Sequence, residues 1–140
     1  MYLPRLSIEG DISFLMDTGA DSSILMPGDA KKLGIDFGTL NGDRVCGGIG
    51  GSVHCYLEPA LLAFSDLGVA VHVYQQDIDI MHHDPEMEDV PSLLGRDILD
   101  HWKIVYDPQE KKIAITVRSA DMTFDLKKRD GGQQLTKQTS

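Results

Sequence analysis

The residues whose arrangement could do chemistry are Phe14-Leu15-Met16-Asp17-Thr18-Gly19-Ala20-Asp21-Ser22, where an apolar run stops at a carboxylate and a glycine. Desolvating a charge is costly, so an aspartate at the end of a core strand needs a reason, and acid–base chemistry is the reason this pattern suggests. Gly19 frees the backbone for a tight turn, and Asp21 can hydrogen-bond local amides. A bare Asp-Thr-Gly arises by accident in roughly one chain in forty of this length. Its weight therefore comes from the apolar strand before it and from two stretches further along.

The first of these is Val45-Cys46-Gly47-Gly48-Ile49-Gly50-Gly51-Ser52-Val53-His54-Cys55-Tyr56, which gathers glycines on both sides of Ile49. It reads as a hairpin tip of low local stability. The second is Leu93-Leu94-Gly95-Arg96-Asp97-Ile98, an apolar strand ending in glycine, with a short helix from about Asp97 to Trp102. His82-His83-Asp84 with Glu86, Glu88 and Asp89 offers imidazole and carboxylate, the ligands divalent ions take. Adjacent histidines on a loop seldom converge on one ion, so a solvated loop is expected and neither metal nor cofactor is called for. A hairpin turning at Ile49-Gly50 pairs Cys46 with Val53 and Arg44 with Cys55. The two cysteines then lie diagonally at about 7–8 Å, beyond comfortable bridging. Free thiols are expected, their oxidation a way to perturb the hairpin.

The elements that must position these residues follow from pattern. Tyr2–Ile8 and Ile12–Met16, joined at Glu9-Gly10-Asp11, read as a hairpin delivering Asp17, and Ser22–Met26 resumes as a strand. Pro27–Gly34 reads as one or two helical turns with Asp29 as cap and Gly34 as terminator. Leu57–Phe64 and Val69–Gln75 form a hairpin around Ser65-Asp66-Leu67-Gly68, and Asp77–Pro91 reads as an acidic exposed loop. Lys103–Tyr106 and Lys112–Val117 close the domain as a last hairpin, with Trp102 as a core residue. The domain is placed at 1–118, and 119–140 is read as a polar, flexible tail too poor in apolar surface to order itself. Many short strands with regular turn signals argue for an all-β barrel or sandwich.

Composition narrows the class. The 140 residues suit one domain with one core. A net charge of −9 repels phosphate backbones and anionic lipid, so neither nucleic acid nor membrane is an expected partner. No apolar run approaches the ~20 residues a membrane span needs. Met1–Leu6 lacks the basic-then-apolar pattern of a signal peptide, which gives a cytoplasmic expectation.

Taken in order, the Asp17–Asp21 stretch, the Gly47–Gly51 cluster and Leu93–Ile98 resemble the catalytic loop, flap and post-strand segment of retropepsins, the retrovirus-type aspartic proteases. The resemblance spans roughly residues 2–102 and is nearer to bacterial and cellular members than to viral ones. It implies a closed β-barrel with a short helix after Leu-Leu-Gly-Arg, and a homodimer that hydrolyses peptide or protein substrates with a water activated by Asp17 and its mate. It also implies catalytic roles for Asp17, Thr18 and Gly19, substrate contacts at Ala20, Asp21, Gly47, Gly48 and Ile49, and support of site and dimer by Arg96 paired with Asp21. Ala20 stands where many cellular relatives carry Ser, which implies a rate optimum less acidic than pepsin's. The other reading is a catalytically silent dimerisation or peptide-binding module. The lone Asp-Thr-Gly supports dimerisation by itself, because one chain cannot bring two such aspartates together, whereas an isologous two-fold contact sets any residue on its axis beside its own copy.

Overall fold

Two long strands carry the molecule. In the computed structural model, which describes residues 1–48, 51–129 and 132–138, the chain runs through β1 (Tyr2–Leu3), β2 (Ile8–Glu9), β3 (Phe14–Met16), β4 (Ile24–Leu25) and helix α1 (Pro27–Lys32). It continues through β5 (Arg44–Gly48), β6 (Gly51–Asp66), β7 (Ala70–Met81), β8 (Ser92–Leu94) and helix α2 (Arg96–Leu99). Strands β9 (Trp102–Asp107), β10 (Lys112–Val117), β11 (Met122–Arg129) and β12 (Gly132–Gln138) complete it. β6 and β7 pair from Asp66↔Ala70 to Cys55↔Met81 around a turn in which Leu67 and Gly68 take φ of 40° and 77°. Pro59 lies inside β6 where that strand has a partner on one side only, β5 having stopped at Cys55 and β1 joining at Leu61.

Ten strands share one sheet in the order β2-β1-β6-β7-β4-β8-β3, with β5 added to β6 and the β11–β12 pair added to β7. β9 and β10 form a separate two-stranded sheet. The core gathers Leu3, Leu25, Leu62, Tyr74, Ile78, Ile80 and Ile98, with Trp102 packed against it.

Four expectations are corrected. Among the described residues no sheet closes into a barrel, because β2 and β3 end the strand order without pairing with each other. The N-terminal hairpin is a different one: β1 pairs with β2 across a 3-10 turn at Pro4–Leu6, and the Gly10 amide bonds back to the Met1 carbonyl at 3.0 Å. β3 is thereby left to pair in parallel with β8. Asp77–Met81 is strand, not loop, because Ile78 and Ile80 are buried and the chain stays paired with β6 to its end. Asp29 does not cap α1, whose N-cap is Met26; its carboxylate accepts instead from the Ser92 hydroxyl, at 2.6 Å, and Ser92 in turn accepts from the Met26 amide.

The segment after 118, read from sequence as a tail, runs as β11 against β7, from Met122↔Val73 to Asp125↔Ala70. Residues leading into it are tied down too. The Asp121 amide donates to Val73 O, the Asp121 carboxylate accepts from the Gln75 amide, and Ala120 is buried. Backbone pairing with a free edge of β7 supplies what apolar content alone does not.

Tyr74 joins three parts of this architecture: its hydroxyl donates to Ser119 O at 2.7 Å and accepts from the Trp102 indole at 2.8 Å. Tyr74→Phe strands a part-buried donor and a part-buried acceptor, so urea denaturation should show a loss of about 1–2 kcal/mol, with the sheet signature in circular dichroism intact.

Candidate active site

The Asp17 loop is built by backbone bonds to a distant segment. Asp17 N donates to Leu94 O at 2.9 Å, so the end of β3 is fastened to the end of β8. Arg96 N and Asp97 N, opening α2, donate to Ala20 O and Asp21 O at 2.8 and 3.2 Å. Gly95 lies between them. A Cβ there would come within 2.6 Å of the Ser22 backbone and 2.9 Å of Ala20 O, so only glycine lets the segments meet so closely. Within the loop, the Gly19 amide donates to Asp17 Oδ1 at 2.9 Å and the Ala20 amide to Asp17 O at 3.1 Å.

Below the loop, Ser23 is fully buried and its hydroxyl donates to Asp97 Oδ1 at 2.6 Å while accepting from Gly95 N. Asp97 Oδ2 accepts from the Ser23 amide and from Gln76 Nε2, each at 2.8 Å. Ser22 Oγ donates to the buried carboxylate of Asp79 at 2.8 Å. The loop is therefore set from β8, α2 and β7 together. Asp17 itself is half-buried and not a core group, and Leu15 beside it is 55% exposed. A carboxylate with one amide donor and access to solvent is equipped to hold or release a proton next to a bound water or substrate.

The hairpin has the register expected for it: Arg44↔Cys55, Cys46↔Val53 and Gly48↔Gly51. Its tip, Ile49 and Gly50, lies outside the described residues. Arg44 Nε is 3.7 Å from Asp79 Oδ1, which ties the first residue of the hairpin to β7. Cys46 is half-buried, Cys55 is buried, and neither is in a disulfide. Burial pushes the Cys46 thiol up and the Cys55 thiol far up, with Asp79's negative charge adding to both. Such thiols are poor nucleophiles.

Of the residues singled out in the sequence, Asp17, Thr18, Gly19, Ala20, Asp21 and Arg96 are brought together. Thr18 is exposed and its hydroxyl makes no hydrogen bond among the described residues. Arg96 Nη2 contacts Asp21 Oδ1 in an ion pair whose two side chains are largely exposed. Gly47 and Gly48 lie on β5 and are carried by the hairpin. The histidines do not converge: His54 meets Asp43, His83 meets Glu88 at 3.4 Å, and His82 stacks on Tyr56 with centroids 4.1 Å apart. Sequence reasoning quoted Ser22 and Asp97 within its motifs but gave no role to them, to Ser23 or to Asp79. The available signals were the serine pair straight after Asp21 and the aspartate straight after Arg96.

Paired positions also make a row across one face of the sheet. Leu15 lies opposite Leu93, Leu93 opposite Ile24, Ile24 opposite Asp79 and Asp79 opposite Leu57. The row leads from beside Asp17 to the strand that carries the hairpin.

Among solved structures, the chain is similar to EIAV protease complexed with the inhibitor HBY-793, at 23% identity and a TM-score of 0.39, over 62% of this chain and 72% of that one. It is also similar to a retropepsin-like aspartic protease from Rickettsia conorii, at 25% identity and a TM-score of 0.46, over 75% of this chain and 79% of that one. No curated protein matches it. The family model described as aspartyl protease matches residues 7–98, a span that takes in the Asp17 loop, the β5–β6 hairpin and all of β8. With that span covering the larger part of its length, the chain belongs to the aspartyl protease family.

Proposed function

We propose that the chain is an aspartic endopeptidase that works as a homodimer, each copy supplying one Asp17 to a pair on the two-fold axis. The observation that carries this is an accessible Asp17 on a loop locked from three elements, in a sequence with a single Asp-Thr-Gly. One carboxylate is an acid or a base at a given moment, and hydrolysis of an amide by water calls for both. Two carboxylates about 3 Å apart hold one proton between them, a sharing already known from aspartic proteases as a class. The ionised member takes a proton from the bound water, and the protonated member donates to the scissile carbonyl as the tetrahedral intermediate forms. The hydroxyl of Thr18 then reaches the partner's loop. Gly19, Ala20 and Asp21 face the substrate backbone. Gly47 and Gly48 offer backbone bonds along an extended peptide, as in strand addition, and Ile49 closes over it. Leu15 and Leu93 give the cleft an apolar wall, which favours apolar residues around the cut bond.

The second copy is expected on the β9–β10 hairpin. Trp102, Ile104, Tyr106, Ile113, Ile115 and Val117 share one face of it. The inner half of that face, Trp102, Ile104 and Val117, packs on the core. The outer half continues the apolar strip uncovered, with Tyr106 70% and Ile113 51% exposed. A self-complementary contact there leaves the loop of each copy free to meet its mate. The Arg96–Asp21 pair contributes little while exposed, less than about 1 kcal/mol, and gains weight when the dimer covers it.

Peptide-library profiling should show cleavage between apolar residues by the wild type and a loss of at least about 10³-fold in Asp17→Asn. Equal cleavage by both would end the proposal. Mixing excess Asp17→Asn into wild type should suppress activity, since mixed dimers hold one competent carboxylate. Tyr106→Glu combined with Ile113→Glu should give a folded monomer on sizing chromatography that no longer cleaves; full activity in that monomer would exclude the shared pair.

A further inference from the structure

We propose that Asp79 is a positioning residue that couples closure of the β5–β6 hairpin to the geometry of the Asp17 loop, an inference that rests on Asp17 being the reacting carboxylate. Asp79 is 2% exposed and belongs to the row that starts beside Asp17 at Leu15. One of its oxygens accepts from Ser22 Oγ, at the end of the loop. The other, Oδ1, is fully enclosed and accepts no hydrogen bond within 3.5 Å from N or O among the described residues. Its nearest cation is Arg44 Nε at 3.7 Å, on the first residue of the hairpin, and Arg44 is itself half-exposed.

A hydroxyl such as that of Ser22 is served as well by a neutral acceptor, so Ser22 alone does not account for a charge at this depth. The contrast with Asp97 is instructive. That carboxylate also sits under the loop, but both of its oxygens are taken, by the Ser23 amide, the Ser23 hydroxyl and the Gln76 amide. Besides Ser22, Asp79 meets the weak thiol donor of Cys46 and a cation just beyond hydrogen-bonding distance, and that cation sits on the first residue of the hairpin. The two thiols nearby, Cys46 and Cys55, are held protonated by burial, so neither competes as a thiolate with Asp79 for Arg44. Lowering the hairpin turns the 3.7 Å contact into a charge-assisted hydrogen bond, and the same carboxylate holds Ser22. Closure and loop geometry then favour each other, as linkage between two sites requires.

The test is a double-mutant cycle in the full chain with Asp79→Asn and Arg44→Gln, read in kcat/KM on a peptide the wild type cleaves, and in thermal midpoint. Asn keeps an acceptor for Ser22 and removes the charge. Each single variant should lose about tenfold in kcat/KM and the pair no more than the worse single, a non-additivity of the size seen for residues in contact. Arg44→Lys should restore part of the loss. The midpoint of Asp79→Asn should stay at or above that of wild type, since a buried charge has gone. Multiplying losses, an unchanged rate, or a rate loss that tracks a fall in midpoint would each overturn the proposal. Amide hydrogen exchange, read without any activity, separates it from the protease reading. Asp79→Asn should speed exchange in residues 18–22 and 44–46 together. Unchanged exchange in either segment refutes the coupling, whereas a wild type that cleaves nothing refutes only the reading beneath it.

Discussion

The close approach of Gly95 to the backbone of residues 20–22 is the constraint on which the rest depends. Without a side chain there, β8 and the opening of α2 can lie against the Asp17 loop and satisfy Ala20 O and Asp21 O with backbone amides. Ser23 fills the remaining space and bonds Gly95 N from a position far away in sequence. On the proposed reading of Asp17 as the reacting carboxylate, a loop held in this way costs little reorganisation when charge develops there, which is what electrostatic catalysis needs. The strand order follows from the same contact. β3 can lie beside β8, and β8 beside β4, only if the chain segments joining them pass each other at Gly95.

Three buried or half-buried carboxylates show how differently this fold manages charge. Glu58 is buried but meets Arg5 through both oxygens, at 2.7 and 3.0 Å, and Arg5 also donates to Thr39 O. That pair pins the first turn of the chain to β6. Asp97 is satisfied by neutral donors alone and gathers α2, β7 and the residue after the loop. Asp79 has a single short bond. Since an uncompensated buried charge is destabilising, the first two read as completed structure, whereas the third rests on Ser22 and on Arg44 at 3.7 Å.

What could be read in the sequence was what is local. Asp-Thr-Gly, the hairpin register around Ile49-Gly50 and the turn at Leu67-Gly68 are each specified by neighbouring residues with special backbone freedom, and the hairpin register and that turn are found where the pattern put them. Pairing between distant segments was not legible. Nothing in Phe14–Met16 says that its partner is Ser92–Leu94 instead of the adjacent Tyr2–Ile8, because an apolar triplet fits either neighbour. Asp77-Ile78-Asp79-Ile80 looks like a strand with a wet polar face or an acidic loop, yet Ile78, Asp79 and Ile80 are all buried, so β7 is covered on both faces there. Met122-Thr123-Phe124-Asp125-Leu126 alternates as a strand should. Its charged surroundings hid the signal, and the free edge of β7 that recruits it is a property of the fold alone. The candidate site divides along the same line: the loop residues were visible as a motif, whereas Asp79 and Asp97 matter only because strands from elsewhere bring Ser22, Ser23 and Arg44 to them.

For the proposed dimer, charge sets the terms on which two copies can meet. At −9 each, they repel at long range, and the repulsion fades over about a Debye length, ~8–10 Å at physiological salt. Association must then come from apolar area and from contacts made only at short range. The outer half of the β9–β10 face supplies the first, as an apolar strip continuous with residues already packed on the core. Thr18 and the exposed Arg96–Asp21 pair supply the second, lying on the same loop system as Asp17. Bringing two Asp17 carboxylates together adds one more repulsion unless a proton is shared between them. The proton sharing proposed to make the pair reactive is therefore also what removes the last electrostatic obstacle to forming it.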